Sequence, residues 1–477
     1  MAHSSRRGFF RFAAAPALGF NILRAAKKTT DIRIVEIRPS YEDFLYRTPI
    51  KFGGTEVDRV TLLNVGCVVE TAAGKRAKGF GSMPLGNVWA YPSKTMKYEE
   101  TLGAMRDLSE RIAKVTAAHK GIGHPVDLNV ALEPAYLKAA DEVSRARKLA
   151  QPIPKLATMV TASPYDAAVH DAFGKLHGVN AFHTYGPDLM TYDLAHYLTP
   201  EFKGEYLSKY VTPEPKPTMP LYHLVGAVDP IFDADVKKRI GDGLPETLPQ
   251  WIAYSGLTHI KIKLNGEDPK WDLDRVLAVD RAAVETQAKR GVKQWFYSMD
   301  FNEKCPNVAY LIELLRRVKE KTAAGFARIQ YVEQPTGRDL KAHRANVMHE
   351  ASKLRPVVID ESLTDLENLM LAREMGYTGT ALKACKGQSQ ALLMAAAAQK
   401  FKMFLCVQDL TCPGASLIHS ASIAAHVPTV AAIEANSRQY CPAANKAWEP
   451  RFPGVFDVRN GRMATSLLNR KGLGAVD

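Results

Sequence analysis

Three carboxylates stand at the ends of three short apolar segments in the middle of the chain. Asp300 ends YSMD, Glu333 ends QYVE and Asp360 ends VVID. Apolar and aromatic runs of this length are typical of buried strands. Carboxylate oxygens from separate strands suit Mg²⁺ and leave positions for water and substrate. The pattern predicts a divalent metal site, with adjacent Glu361 as the competitor of Asp360 because strand alternation alone does not say which faces inward.

Lysines flank these carboxylates on both sides along the chain. Lys261 and Lys263 lie two apart in KIK, so they point to the same face of a strand, and Lys383 ends a later segment, TALK. Buried ammonium groups are costly unless acids or a metal-bound anion pair with them. A nearby cation also lowers the pKa of a lysine, which makes it available as a neutral base. These residues predict proton transfer beside a metal; the structural alternative is a buried salt-bridge network.

The elements that must position these residues alternate between strand and helix. Helical patterns at Asp274–Arg290, Val308–Lys321 and Leu363–Met375 lie between strand segments. Such alternation predicts parallel βαβ units. Eight strands, the number that a closed (β/α) barrel needs, are predicted within Met219–Val225, Thr258–Leu264, Gln294–Asn302, Ala327–Pro335, Arg355–Ser362, Gly379–Lys386, Lys402–Asp409 and Thr429–Asn436. The C-terminal strand ends of a barrel share one mouth, where we expect the charged residues to meet.

The rest of the chain divides around this barrel. Strand patterns followed by helical patterns predict a separate α+β capping domain. We predict four parts: residues 1–29 as an export signal or a disordered basic leader, 30–160 as the capping domain, 161–440 as the barrel, and 441–477 as a segment that returns to the capping domain.

Four local features refine this division. Residues 47–54 are expected to form a glycine-ended loop that reaches over the barrel mouth. Residues 186–217 are rich in Tyr, Pro and charge, which predicts an insertion that acts as an interface or a lid. A helix is predicted at Ser163–Val179, with Ser163 as its cap and Pro164 at its first position. Val455–Val458 has the pattern of a strand.

Composition excludes several classes of protein. With 46% hydrophobic and 24% charged residues, the chain has the make-up of a soluble globular enzyme. No apolar run reaches the roughly 20 residues of a membrane-spanning helix. The net charge of +13 is unevenly spread: residues 1–30 carry six basic residues and no acid, and the charges of the rest are of interspersed sign, so the charge does not indicate a nucleic-acid partner. The six cysteines show no zinc or redox spacing and are expected to be buried thiols.

The N-terminus bears on location. Ser5-Arg6-Arg7-Gly8-Phe9-Phe10-Arg11, followed by the apolar stretch Phe12–Leu23, resembles a twin-arginine export signal. The protein would be periplasmic if this signal is used and cytoplasmic otherwise.

Five motifs in order over about 125 residues resemble the enolase superfamily, and within it the muconate lactonizing enzyme-like branch. They are the K-x-K of Lys261 and Lys263, the D-x-N of Asp300 and Asn302, the E-Q-P at Glu333, the D-E-S at Asp360 and the lysine of Ala381-Leu-Lys383. The resemblance implies an enolase-type (β/α) barrel with an α+β capping domain. It also implies Mg²⁺, or Mn²⁺, on Asp300, Glu333 and Asp360.

The resemblance further implies contacts with substrate and shows three departures. Asn302, the loop residue Phe52, and Gln408, Asp409 and Glu434 at the last two strand ends are the implied substrate-binding residues. No His accompanies Gln408 and Asp409, which argues against the mandelate racemase-like branch. Glu434-Ala-Asn436 keeps one carboxylate where dipeptide epimerases carry two. Lys386-Gly-Gln388 stands where the branch often has paired glycines.

The implied activity is removal of the proton α to a substrate carboxylate through an enediolate. Lys263 would be the base, Lys383 would serve the opposite face of the substrate, and Lys261 would add positive charge. A racemase or epimerase is the main prediction, and a dehydratase or cycloisomerase of a carboxylic or sugar acid is the alternative. A non-catalytic binding barrel and a metal-dependent hydrolase, for which only His223 and His259 could serve as ligands, are weaker readings. A small carboxylate substrate and a homo-oligomer are expected.

Overall fold

A computed structural model describes residues 28–52 and 55–476 of the protein. The predicted export signal falls on residues that lie outside this description. Within the described residues, no helix is both long and apolar enough to cross a membrane.

The N-terminal part is an antiparallel sheet covered by helices. Its strands β1 (Ile32–Phe52), β2 (Thr55–Thr71) and β3 (Arg76–Pro84) pair in chain order. The helices are α1 (Asn87–Ala90), α2 (Tyr98–Ala118), α3 (Pro125–Ala146) and α4 (Lys155–His177). The strands bury alternate apolar side chains such as Leu63, Val65 and Cys67 against these helices.

The prediction of a loop at residues 47–54 is wrong for most of that stretch. The β1–β2 hairpin continues outward, with Ile50 opposite Val57 and Lys51 opposite Glu56. The β-branched and aromatic residues around the tip favour this extended pairing. Arg47 fixes the hairpin to the barrel side, because its Nη2 donates to Asp242 Oδ1 at 2.9 Å. The backbone of Phe52 ends β1, while its side chain and residues 53–54 lie outside the described part.

Helix α4 joins the two parts of the molecule. It begins at Lys155 rather than at Ser163, so the boundary predicted at residue 160 falls inside it, and it packs on β2 and β3. Pro164 is tolerated inside the helix because the carbonyl of Val160, which lost its amide donor, accepts from the Ser163 hydroxyl at 2.8 Å. Gly79 permits the close packing, since a Cβ there would come within 2.0 Å of the Ala168 carbonyl.

The C-terminal part is a closed barrel of eight parallel strands, which confirms the predicted fold class. The strands are β4 (Thr218–Val225), β5 (His259–Lys263), β6 (Phe296–Asp300), β7 (Ile329–Glu333), β8 (Val357–Ile359), β9 (Gly379–Leu382), β10 (Phe404–Val407) and β11 (Val430–Glu434). Pairing of β11 with β4 closes the barrel. The surrounding helices are α5 (Leu248–Ser255), α6 (Pro269–Arg290), α7 (Val308–Lys321), α8 (Ala323–Arg328), α9 (His349–Leu354), α10 (Leu366–Glu374), α11 (Gln388–Lys400), α12 (Ala415–His426) and α13 (Ser437–Tyr440).

The insertion at residues 186–217 is not a lid over the mouth. Phe202 stacks edge-on with Phe401, just after α11, and the amide of Thr212 donates to the carbonyl of His426 at 2.8 Å. Both partners lie where helices lead back into the N-terminal ends of strands, at the opposite end of the barrel from the strand-end charges. The insertion therefore buttresses the barrel base.

The C-terminal segment returns to both parts of the molecule. A short strand β12 (Arg462–Ala464) pairs antiparallel with β4, whereas the strand predicted at Val455–Val458 is a series of turns whose apolar side chains are buried. The amide of Leu473 then donates to Asp171 Oδ1 of α4 at 2.8 Å, and Asp171 Oδ2 accepts from Phe80 of β3. Asp171 thus joins three segments.

Candidate active site

The charged residues lie at the C-terminal ends of successive barrel strands. Lys263 is in register with Asp300, and Asp300 with Glu333, so the three end their strands at one level. Asp360 follows the last residue of β8, and Lys383 the last residue of β9. Because parallel strands share a direction, these residues face one mouth.

Lys261 is the centre of the cluster. Its Nζ lies 3.0 Å from Asp300 Oδ2, 2.9 Å from Glu333 Oε1 and 2.8 Å from Glu434 Oε2. It also donates to Gln408 Oε1 at 2.7 Å. Burial opposes the charge of this lysine, but the three carboxylates outweigh that effect and raise the pKa of Lys261 well above its usual range. Lys261 is therefore a fixed cation.

The two lysines predicted to move protons stand on either side of the row of acids. Lys263 donates to Asp300 Oδ2 and, at 2.9 Å, to Asn302 Oδ1. Lys383 lies 3.1 Å from Asp360 Oδ2 and donates to the Asp409 carbonyl at 2.9 Å. Burial by itself would lower the pKa of Lys383. The charge of Asp360 raises this pKa by more, so the net shift is upward. The sequence led us to expect a lowered pKa for the base lysine, and the ion pair with Asp360 reverses that direction at Lys383.

Lys386 is a fourth buried lysine that sequence reasoning noted only as a departure from the family pattern. Its Nζ lies 3.2 Å from Asp360 Oδ1 and also donates to the Asp360 carbonyl. Burial raises the pKa of Asp360, while Lys383 and Lys386 lower it more strongly, so that this carboxylate stays ionised. Asp360 is held between two ammonium groups.

Trp89 of the capping domain covers this side of the site, and sequence reasoning missed it. Its ring centroid lies 4.6 Å from Lys383 Nζ, and its Nε1 donates to Glu361 Oε1 at 2.9 Å. Burial, reinforced by the charge of Asp360, raises the pKa of Glu361 to about 7. Trp89 precedes Glu361 by 272 residues, and no sequence motif links the two. They meet only because the capping domain docks on the barrel.

The residues predicted to bind substrate at the last two strand ends bind other groups of the protein instead. Asp409 accepts from the backbone amides of Leu410 and Cys412 through Oδ1 and of Asn436 through Oδ2. Burial, together with Glu434, raises the pKa of Asp409 to about 6. In this arrangement Gln408 and Glu434 bind Lys261, and Asp409 supports the backbone.

As the side chains stand, no group of three His, Cys, Asp or Glu residues in 28–52 and 55–476 is placed to hold a metal ion. The reason is local, because the ammonium of Lys261 lies between Asp300 and Glu333, and the lysines of β9 and its following turn engage Asp360.

The donor set nevertheless fits a divalent cation. Glu333 Oε2 and Glu361 Oε2 are buried without a hydrogen-bond partner among the described residues. Burial, together with the charge of Asp300, raises the pKa of Glu333 well above its usual range. The buried charged residues at the mouth are four lysines (Lys261, Lys263, Lys383, Lys386) and six acids (Asp300, Glu333, Asp360, Glu361, Asp409, Glu434). The excess of two negative charges when all are ionised is the charge that Mg²⁺ or Mn²⁺ would neutralise.

Open space reaches the site beside Lys263. A cavity of about 270 Å³ is lined there by Lys263, Asn302, Trp271 and, from the cap hairpin, Lys51. The hairpin thus approaches one of the two proton-transfer lysines, whereas Trp89 covers the other. Asn302 and Gln334, in the turns that follow β6 and β7, have φ angles of 43° and 31°. Residues other than glycine rarely adopt this backbone conformation.

The architecture, a closed (β/α) barrel with charged strand ends and an α+β cap, defines the class of enolase-type barrels. Residues 244–476 match the family described as Enolase C-terminal domain-like. Residues 244–476, which include seven of the eight barrel strands, therefore form an enolase C-terminal-like domain, which fits the predicted enolase superfamily and its mandelate racemase and muconate lactonizing enzyme branch. The prediction of a superfamily enzyme, an isomerase or a lyase, is confirmed at this level. A search of curated proteins finds no match.

Solved structures share the fold at low sequence identity. Muconate lactonizing enzyme from Pseudomonas fluorescens, complexed with muconolactone, is 17% identical, with a TM-score of 0.60 over 93% of this chain and 96% of that one. Dipeptide epimerase from Enterococcus faecalis V583, complexed with Mg and L-Leu-L-Tyr, is 14% identical, with a TM-score of 0.59 over 93% and 99%. An enolase from Bradyrhizobium, complexed with magnesium and mandelic acid, is 16% identical, with a TM-score of 0.57 over 94% and 97%.

Proposed function

We propose that the protein removes and returns the proton α to a substrate carboxylate, with a divalent metal, as a racemase or epimerase. The observation that carries this proposal is the arrangement of Lys263 at the end of β5 and Lys383 just after β9, on either side of the three strands that place Asp300, Glu333 and Asp360 at the mouth. A substrate held over the central acids would have one lysine on each face.

The chemistry assigns a role to each side chain. Asp300, Glu333 and Asp360 would hold Mg²⁺ or Mn²⁺, which supplies positive charge to the substrate carboxylate as the α-proton leaves. Lys261 adds a second, permanent positive charge. A neutral Lys263 takes the proton from one face while a protonated Lys383 gives one to the other. The strand ends keep the lysines fixed, so the substrate rather than the protein changes configuration.

The test is α-hydrogen exchange in D₂O, followed by NMR for both enantiomers of each acid in a panel of dipeptides, N-acyl amino acids and aromatic hydroxy acids. We expect Lys263→Ala to stop exchange from one enantiomer and Lys383→Ala from the other. Lys263→Arg and Lys383→Arg should not restore exchange, because a guanidinium stays protonated. Unchanged exchange in both alanine variants would remove these lysines from the mechanism.

A specific asymmetry favours a second candidate, a dehydratase or cycloisomerase. Lys263 borders the open cavity, whereas Lys383 is covered by the Trp89 ring and bound to Asp360. A base on one side and a fixed ammonium on the other suit abstraction by Lys263 and protonation of a leaving or closing group by Lys383. Loss of exchange from both enantiomers in Lys263→Ala, with metal still bound, would support this reading over racemisation. A small carboxylate substrate is common to both readings, and a homo-oligomer is part of the proposal.

A further inference from the structure

Trp89 links the capping domain to one of the two lysines that we propose to move protons. The tryptophan lies in α1, and its ring centroid is 4.6 Å from Lys383 Nζ. A cation within about 6 Å of an aromatic ring is attracted to the ring face, and the attraction is stronger where water is excluded. Trp89 is 5% exposed and Lys383 is 4% exposed. The contact is therefore of the stronger, buried kind.

The barrel fixes the position of this ring. The indole Nε1 donates to Glu361 Oε1 at 2.9 Å, and the backbone carbonyl of Trp89 accepts from Arg338 Nη2 at 3.2 Å. Arg338 is held in turn, because its Nε donates to Glu303 Oε2 at 2.7 Å. Glu361, Arg338 and Glu303 follow the barrel strands β8, β7 and β6. Three loops at the barrel mouth thus hold one residue of the capping domain.

Two further contacts of Lys383 come from the barrel itself. Its Nζ lies 3.1 Å from Asp360 Oδ2 and donates to the Asp409 carbonyl at 2.9 Å. Asp360 is also a proposed metal ligand, so a metal would compete with the lysine for this carboxylate. The ammonium of a lysine stands on a flexible four-carbon stem. With the carboxylate shared, the position of Lys383 Nζ depends on the Asp409 carbonyl and on the Trp89 ring.

Lys263 is held by other groups. Its Nζ donates to Asp300 Oδ2 and, at 2.9 Å, to Asn302 Oδ1, at the end of β6 and in the turn after it. Trp89 is connected to this side through a longer bond, in which Asn302 Nδ2 donates to Glu361 Oε1 at 3.4 Å. This connection uses the indole N–H rather than the ring face. The ring face of Trp89 and its N–H thus have separate partners.

We propose that Trp89 is a positioning residue for Lys383. The ring face keeps the lysine Nζ at its place on the mouth, so proton transfer through Lys383 depends on the docked capping domain. Proton transfer through Lys263 does not depend on this ring. The role of Trp89 rests on the proposed function and extends it, because the capping domain then controls one of the two faces of the substrate.

The experiment compares α-hydrogen exchange from the two enantiomers in D₂O, at saturating acid and with the same panel of acids. The face served by Lys383 is identified as the one that Lys383→Ala silences. Trp89→Leu should slow exchange at that face at least about tenfold and at the other face less than about threefold, because a small displacement of a reacting group costs one to two orders of magnitude in rate. Trp89→Phe keeps an aromatic face without the N–H, and it should restore the first rate to within about threefold of the wild type.

Trp295→Leu is the matched control. Trp295 is 6% exposed, and its ring centroid lies 3.9 Å from Arg328 Cζ. It precedes β6 and so lies at the other end of this strand from the mouth. The variant removes an equally buried tryptophan beside a cation, and it should leave the ratio of the two exchange rates unchanged.

A double-variant cycle tests the contact without turnover. The urea midpoints of Trp89→Leu, Lys383→Ala and the double variant are compared with that of the wild type. We expect the double variant to shift by less than the sum of the two single shifts, because the two side chains are in contact. Trp295→Leu combined with Lys383→Ala should give additive shifts.

Three results would overturn this role of Trp89: additive urea shifts for Trp89 and Lys383, equal slowing at both faces in Trp89→Leu, and no recovery in Trp89→Phe. Failure of the proposed function gives a different result. If no exchange depends on Lys383 while the urea shifts of the pair are non-additive, the proposed function fails and the positioning of Lys383 by Trp89 stands.

Discussion

Lys261 binds one oxygen of Glu333 and leaves the other without a partner. Its Nζ lies 2.9 Å from Glu333 Oε1, while Glu333 Oε2 is buried and unpartnered among the described residues. The lysine therefore satisfies only half of the carboxylate, and the free oxygen is the atom that a metal would engage. This relationship links the ion-pair network to the proposed chemistry.

Lys261→Met should destabilise the protein strongly. The substitution leaves three buried carboxylates without their shared cation, which costs about 3–5 kcal/mol in the free energy of unfolding. Urea denaturation monitored by circular dichroism measures this loss in the free energy of unfolding. Lys353→Met, at a lysine whose side chain is 71% exposed, is the control and should leave the free energy of unfolding unchanged. A loss at Lys261 no larger than at Lys353 would contradict the network.

Asp300→Asn, Glu333→Gln and Asp360→Asn should each weaken Mn²⁺ binding at least about 100-fold, because each removes an anionic ligand. Electron paramagnetic resonance of free Mn²⁺ measures the affinity directly. Glu367→Gln, at a side chain that is 71% exposed, is the control. Retained binding in Asp360→Asn with loss in Glu361→Gln would assign the third position to Glu361 instead.

Lys386→Met should strengthen Mn²⁺ binding, whereas the three substitutions of metal-binding acids should weaken it. Removal of an ammonium 3.2 Å from Asp360 Oδ1 frees that carboxylate and takes away a repelling charge. We expect Mn²⁺ affinity to rise about tenfold, within the range of a charge interaction at partly screened distances. Lys386→Arg keeps the positive charge and should not raise the affinity for Mn²⁺. Weaker Mn²⁺ binding in Lys386→Met would show that Lys386 orients Asp360 for the metal rather than competing with it.

His419→Leu should change how stability depends on pH. Burial lowers the pKa of His419 to about 4, and neither ring nitrogen has a partner among the described residues. Between pH 6.5 and 4 the unfolded chain binds a proton at this residue that the folded chain does not. The wild type therefore loses about 1.4 kcal/mol per pH unit on acidification at His419.

The leucine variant lacks this loss, so its free energy of unfolding relative to the wild type should rise by about 3 kcal/mol from pH 7 to pH 4. Urea denaturation of both proteins at several pH values gives the difference. A constant difference across that range would show that His419 is protonated equally in both states.

Local mistakes in the sequence analysis share one cause. The extended conformation of residues 48–52, the start of α4 at Lys155 and the turns at Val455–Val458 all depend on what packs against the segment. The same glycines and prolines that predict ends of elements are tolerated inside them when a neighbour compensates, as the Ser163 hydroxyl does for the lost amide of Pro164.

Local periodicity in the sequence predicts the barrel, its eight strands and the residues at their ends, because the alternation and the length of a strand depend on neighbouring residues. Which of these groups meet depends on the three-dimensional fold. Lys261 lies 147 residues from Gln408, and Trp89 lies 272 residues from Glu361, yet both pairs are hydrogen-bonded. Closure of the barrel and docking of the cap bring these groups together, and no local pattern encodes that geometry.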